Sequence, residues 1–299
     1  IMVSDGETAY VSDAVTSDIG GATGSSKVIT DITSTDIGLG VNPFIYGYFY
    51  NLGRHFIWGE HLTSTKFIKW SDDLVTWNDA SFSSTDSLGL SMGFSPETGT
   101  LMLSIQNAVT TNGPLRSYDN GKTWTASGAI ASFTNPYGVY WIPSASAWFY
   151  RGINGFFSTN DGDNWTEVTL PSGMAGIESV VADDYKVMVV STGGYSHYAT
   201  TDLSSWTRVA GHDLRGRYGL TKQRGFWVST RGSGEIEFTT NIYKSWIQQD
   251  VDIATTSAQF TSCFYLPSES TWYVLDQSLP YRMYESSDLL TWAVVTTGS

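Results

Sequence analysis

Three carboxylates and three guanidinium groups are the residues with which this chain could do chemistry. Two carboxylates held about 5–10 Å apart hydrolyse a glycosidic bond, one as acid and the other as base or nucleophile. Glu60 with Asp276 or with Glu235 is the pair this sequence offers, and His61 stands beside the first of them. Arg151, Arg217 and Arg231 carry planar forks that match a ligand carboxylate, although no local motif marks any of them; Arg215 is a further candidate outside that grip. A softer chemistry is also available. Tyr195, Tyr198, Tyr281, Tyr284, Asn154 and His197 are of the types that hold sugars, a rigid face with a polar handle or an adaptable hydrogen-bonding group. The four histidines, His55, His61, His197 and His212, lack metal-ligand spacing, so no metal is expected. Nucleophile-elbow, phosphate-loop and dinucleotide motifs are absent, and no cofactor is expected. Solvated loop acids are the commoner fate of residues such as Glu60, so no catalytic residue is assigned outright.

What would position these groups is a repeat. Ser117-Tyr118-Asp119-Asn120-Gly121-Lys122-Thr123-Trp124 recurs in degenerate form, ending at Trp77, Trp124, Trp165, Trp206, Trp246 and Trp292, at spacings of 47, 41, 41, 40 and 46 residues. Each copy joins a turn-forming Asp or Asn to a hydroxyl and a large aromatic: Asp73, Asp119, Asn160, Asp202, Asn241 and Asp288 with those tryptophans. Such an Asp or Asn bonds backbone amides just downstream and pins a turn. Gly121 and Gly162 supply positive φ in two copies. A period near forty residues with one Trp per unit is the signature of radial β-sheet repeats.

A second repeat runs alongside the first. The stretch 140–150 matches 264–274, an apolar strand, a short turn and an aromatic strand. Runs such as Val187-Met188-Val189-Val190 fit strands covered on both faces. The expected fold is therefore all-β: a six-bladed β-propeller over residues 42–299, four antiparallel strands per blade. Residues 1–41 are rich in Ser, Thr, Gly and Asp and read as a linker or attachment segment that could add a closing strand. The face where propeller ligands sit is formed by the second-to-third-strand loops, at 59–66, 104–115, 151–155, 191–197, 229–235 and 275–281, and by the blade-to-blade connections, of which 208–217 carries the most charge and holds Arg215 and Arg217; of the other candidates, Tyr198 and Tyr284 lie just beyond these loops.

The eight-residue copies resemble the Asp-box, or bacterial neuraminidase repeat, of sialidase-like β-propellers. Only 117–124 matches Ser-x-Asp-x-Gly-x-Thr-Trp in full. The resemblance implies that the boxes are structural turns between third and fourth strands, on the face away from the ligand. The Phe/Tyr-Arg-Ile-Pro motif of sialidases is missing. The short copies, at 71–77, 200–206 and 286–292, are similar to a turn of arabinanase-like and fructosidase-like glycosidases, but Asn42-Pro43 lacks the acid of their Asn-Asp-Pro.

Composition narrows the partners. A formal charge of −13 over 299 residues opposes nucleic acid and anionic membrane surfaces. No apolar run approaches the ~18 residues of a membrane span, so membrane insertion is not expected. Cys263, the one cysteine, sits in an apolar strand and reads as a core residue. The chain opens on Ile1, which suggests a processed product or a piece of something longer. With its acidic, Ser/Thr/Gly-rich make-up, the chain is similar to virion proteins. The leading expectation is a non-catalytic recognition module of a bacteriophage tail, virion-borne or extracellular, binding a cell-surface glycan or receptor. Its first segment would meet neighbouring subunits. A secreted glycoside hydrolase is the alternative. A third reading is an assembly scaffold resembling the Asp-box factors of photosynthetic membranes.

Overall fold

The computed structural model describes residues 2–4, 8–11, 30–33, 43–61, 65–83, 87–106, 113–130, 138–152, 155–159, 161–172, 177, 179–182, 187–190, 197–209, 219–230, 234–243, 246–251, 260–266, 269–276 and 282–295. Among them the one helical element is a 3-10 turn at Pro143–Ala145; the rest is strand and turn. The chain divides into two compact units, Ile1–Val168 and Thr169–Ser299.

In the first unit, Met2–Ser4, Thr8–Val11 and Thr30–Thr33 make a three-stranded sheet of their own. Thr30–Thr33 runs antiparallel to Thr8–Val11. Next comes a four-stranded antiparallel blade, Pro43–Asn51, Arg54–His61, Lys66–Ser71 and Asn78–Asp79. A further antiparallel blade consists of Gly138–Ile142, Ala147–Arg151, Gly155–Ser158 and Thr166–Glu167.

The sheet between these two blades is built differently. Ser87–Phe94, Leu101–Gln106, Leu115–Ser117 and Thr123–Ala126 are antiparallel, but Ser81–Phe82 adds a fifth strand parallel to the last. The chain leaving the preceding blade is shared between sheets: the Ala80 amide donates to the Ile68 carbonyl and the Ser81 amide to the Lys122 carbonyl, at 2.9 and 2.8 Å. An outer edge that would expose unpaired backbone groups is thereby covered.

The second unit contains three four-stranded antiparallel blades. They are Ser179–Ala182, Val187–Val190, His197–Thr200 and Thr207–Arg208; Gly219–Gln223, Phe226–Thr230, Glu235–Thr239 and Ile247–Asp250; and Phe260–Leu266, Thr271–Asp276, Arg282–Ser286 and Ala293–Val294. Among the described residues five sheets are four-stranded blades. The expectation of six such blades is corrected to five, because the sheet holding Trp124 is five-stranded and mixed.

Inner strands pack on inner strands. Pro43–Asn51 lies against Ser87–Phe94, which lies against Gly138–Ile142; in the second unit Gly219–Gln223 lies between Ser179–Ala182 and Phe260–Leu266. The interior of the first unit runs through Phe56, Trp58, Leu103, Trp148 and Tyr150, and that of the second includes Val228, Phe238, Trp272 and Val274. Phe56-Ile57-Trp58 and Leu101-Met102-Leu103 are buried at consecutive positions, as strands covered on both faces must be. Burying a ring such as Trp58 contributes about 4–6 kcal/mol at ~25 cal/mol per Å², before the entropy of ordering the chain is subtracted. Cys263 belongs to this interior, and burial pushes its thiol far up.

Each recurrent turn joins the third strand of its sheet to the strand that follows. In 117–124, Asp119 accepts from the amides of Lys122 and Thr123 at 3.0 and 2.9 Å, while the Ser117 hydroxyl donates to it at 2.8 Å. Asp73, Asp202 and Asp288 repeat the pattern on two downstream amides each. Asn241 takes one such amide, from Tyr243, at 3.0 Å. In three turns the tryptophan closes its own turn, Trp124 Nε1 donating to the Gly121 carbonyl at 2.9 Å, Trp292 Nε1 to that of Leu289 at 3.2 Å and Trp77 Nε1 to that of Leu74 at 3.3 Å, whereas Trp165 Nε1 donates to the Ser127 hydroxyl at 3.3 Å. Trp124 and Trp246 are buried, whereas Trp77, Trp165, Trp206 and Trp292 are half-buried. In the short copies the left-handed residue is leucine, Leu74, Leu203 and Leu289, at φ of 61°, 60° and 67°. That conformation is strained for a residue with a Cβ. Burial of Leu203 and Leu289 offsets the strain.

Candidate functional site

The described residues with the most varied exposed chemistry lie at one end of the blade that opens at Pro43. Phe44, Glu60 and Lys66 are direct neighbours across three strands, Phe44 opposite Glu60 and Glu60 opposite Lys66. Residues opposite one another share a face, with Cβ atoms about 4.5–5.5 Å apart. Phe44 is 56% exposed, an unusual position for a phenyl ring on an inner strand.

A bulge brings a fourth group into the row. Ile45 pairs with Gly59 and Gly47 with Trp58, so Tyr46 is one residue more than the partner strand can match. A bulge re-aims the side chain it carries. The Tyr46 ring packs on the interior while its hydroxyl donates to Glu60 Oε2 at 3.0 Å. Burial, then the hydrogen bond and the charge of Glu60, push the Tyr46 hydroxyl above the usual tyrosine range. That hydroxyl therefore stays protonated and keeps donating.

Two glycines make the bulge possible. A Cβ on Gly47 would stand 2.2 Å from Trp58 Cζ2, and one on Gly59 would stand 1.9 Å from the Phe44 carbonyl oxygen. Trp58 is itself fixed, since its Nε1 donates to the Gly89 carbonyl of the next sheet at 2.7 Å. On the far side of the row the His61 amide donates to the Thr65 carbonyl at 2.9 Å, closing the hairpin, and the His61 ring lies 5.2 Å from that of Phe67. Among the described residues the row thus stands on paired strands.

The other candidates distribute as follows. Arg151 is the last residue of Ala147–Arg151 and half-buried, at the position on its blade that corresponds to the end of Arg54–His61. In the second unit Glu235 accepts from Gln248 Nε2 at 2.8 Å, which ties it to the neighbouring strand. Asp276 is 4% exposed, and its backbone pairs in register with that of Arg282. His197 begins His197–Thr200, and its backbone pairs with Val190. Tyr198 is half-buried and Tyr284 buried, the latter in the core. Glu60 belongs to the first unit, Glu235 and Asp276 to the second, each on a different blade. Asn154, Asn160, Tyr195, Arg215, Arg217, Arg231 and Tyr281 lie outside the described residues.

Phe44, Tyr46 and Lys66 were not singled out by sequence reasoning. The signal was present but indirect, for the loop 59–66 is a candidate loop and Phe44 lies on the strand it faces. Glu237, fully buried in the third strand of its blade, was also missed. Among the described residues no cluster of three or more His, Cys, Asp or Glu could hold a metal ion.

Sheets of this construction, in this order, define a β-propeller, and comparison with solved structures gives the same class. YCF48 from Cyanidioschyzon merolae superposes with a TM-score of 0.65 at 15% identity, over 87% of each chain. Virginiamycin B lyase from Staphylococcus aureus gives 0.66 at 12% identity, over 85% of this chain and 84% of that one. The GH74 xyloglucanase from Xanthomonas campestris gives 0.65 at 16% identity, over 87% of this chain and 46% of that enzyme. At such identities the likeness establishes the fold alone. No protein-family model matches the chain, and no curated protein sequence does either.

Proposed function

We propose that this propeller is a recognition module that binds a carbohydrate or a glycosylated receptor on a cell surface, without cleaving it. The observation that carries the reading is the row of Phe44, Glu60 and Lys66 with the Tyr46 hydroxyl, an exposed aromatic face beside fixed hydrogen-bonding groups. Sugars pair an apolar C–H face with a rim of hydroxyls, and such a row answers both at once. The acidic, Ser/Thr/Gly-rich sequence further supports a place in a phage tail or another extracellular assembly. Resemblance of the turns to the Asp-box supports the same placement of the site, since those turns occupy the opposite end of each blade in that family.

A glycoside hydrolase is the second reading, and the hydrogen-bonded Tyr46–Glu60 pair is what favours it. Passing the full chain over immobilised bacterial and host polysaccharides, while assaying reducing ends, separates the two. Retention without release, lost in Phe44→Ala, is the expected result. Release of reducing sugar that Glu60→Gln abolishes would establish the hydrolase instead. Neither retention nor release would leave the scaffold reading, and YCF48, one structural neighbour, has been solved bound to a peptide.

A further inference from the structure

We infer that the row on the Pro43 blade selects neutral, hydroxyl-rich glycans and rejects anionic ones, an inference that rests on the recognition reading above. The argument begins with Glu60. Its Oε2 is held by the Tyr46 hydroxyl, and among the described residues its Oε1 has no hydrogen-bond partner. A carboxylate accepts and does not donate. Whatever binds there must bring donors, and a pair of adjacent sugar hydroxyls does so. A ligand carboxylate or sulfate brings only acceptors and a like charge.

Lys66 does not reverse this preference. It stands directly opposite Glu60 in register, so an anion drawn to its ammonium would also stand beside the Glu60 carboxylate. The tyrosine adds nothing for an anion, because its proton is committed to Glu60. At long range the formal charge of −13 repels polyanions from the whole surface. Phe44, 56% exposed, supplies the face on which a pyranose ring stacks.

The test is affinity electrophoresis of the full chain through gels containing yeast mannan, a soluble β-glucan, alginate or polysialic acid. Retardation by a neutral polymer and by neither anionic one is the expected outcome. It should change by less than about twofold when salt is raised from 50 to 500 mM, since a neutral polymer offers no charge for the added salt to screen. Glu60→Gln should weaken retardation about tenfold, because a charge-assisted hydrogen bond is replaced by a neutral one. Phe44→Ala, at an exposed position, should abolish it with the fold intact. Retardation by alginate or polysialic acid equal to or above that by a neutral polymer overturns the inference and leaves the recognition reading standing. Neutral binding that survives both substitutions unchanged also overturns it, because the selecting site is then elsewhere. Retardation by no polymer at all overturns both.

Discussion

Arg54 offers the sharpest test of how the first unit is held together. Its side chain is only 9% exposed and makes contacts of three kinds. Nε and one terminal nitrogen grip Asp72 at 2.6 and 3.0 Å, the other terminal nitrogen donates to the Asn120 carbonyl at 2.9 Å, and the guanidinium lies 3.9 Å from the Trp70 ring centre. Asn120 is the left-handed residue, φ 54°, of the turn in the next sheet, so this bond ties one sheet to the next. Arg116 makes the same bond one sheet further on, to the carbonyl of Asp161, φ 52°, at 2.9 Å. Asp72 is 57% exposed, and solvent reduces its ion pair to about 0–1 kcal/mol. The charged bond to the half-buried Asn120 carbonyl contributes about 1.5–3 kcal/mol, and the stacking about 1 kcal/mol. Arg54→Ala should therefore cost about 3–4 kcal/mol and Asp72→Asn no more than about 1 kcal/mol. Arg54→Lys, which keeps charge and loses the fork, should fall between them. Urea unfolding of the full chain, followed by tryptophan fluorescence, measures all three. Equal losses in Asp72→Asn and Arg54→Ala would refute the reasoning, for the exposed ion pair would then dominate the backbone bond. So would a loss below about 1 kcal/mol in Arg54→Ala.

Three other perturbations probe different parts of the molecule. Gly59→Ala places a methyl group against the Phe44 carbonyl oxygen, at 1.9 Å before relaxation, and should cost about 2–3 kcal/mol while weakening polysaccharide retention; unchanged retention would show that the bulge does not position the site. Trp58→Phe removes the donor to the Gly89 carbonyl and should lower stability by about 1–3 kcal/mol in the same unfolding assay. The turn aspartates set an acid limit: amide donors of Thr76 and Val75 hold Asp73 at about 2, and those of Thr291 and Leu290 hold Asp288 at about 2. A carboxyl whose folded value is depressed contributes stability that is complete above its unfolded value, about 4, and is lost as pH falls toward the folded one. Fluorescence-monitored acid unfolding should thus steepen between about pH 4 and 2, and Asp73→Asn with Asp288→Asn should flatten that limb; an unaltered slope would rule these turns out as its source.

The sequence displayed the turns because each is a local device. Ser71, Asp73 and Thr76, or Ser117, Asp119 and Thr123, satisfy one another within a few residues, so their chemistry stays readable in a string of letters. Counting turns, however, does not count four-stranded blades. Whether Ser81–Phe82 joins a neighbouring sheet depends on partners about forty residues away, and nothing in Ala80-Ser81-Phe82 advertises a parallel pair. The spacing of 47 residues between Trp77 and Trp124, against 41 for the next two intervals, spans this added strand. Length alone was no signal, however, for the 46 residues between Trp246 and Trp292 hold no such strand among the described residues.

The site was less legible for a related reason. Glu60 and His61 stand out as charged residues in a loop, whereas their companions Phe44 and Tyr46 look like any aromatic strand. What separates Tyr46 from the core aromatics is one unmatched residue between the Ile45–Gly59 and Gly47–Trp58 pairs, and that mismatch exists only in the register of two strands. Gly47 and Gly59 mark it, because each lacks the Cβ that would collide with Trp58 or with the Phe44 backbone. Glycines inside an otherwise aromatic strand are thus the sequence trace of a bulge. Strand Arg54–His61 then joins the two findings: its first residue fastens the next sheet at the turn end, and Glu60 belongs to the candidate row near the other, about 20 Å away at the usual rise per residue. The inter-sheet bond of Arg54 and the candidate row at Glu60 thus stand at opposite ends of one strand, so residues of the row can change without loosening the bond that holds the sheets together.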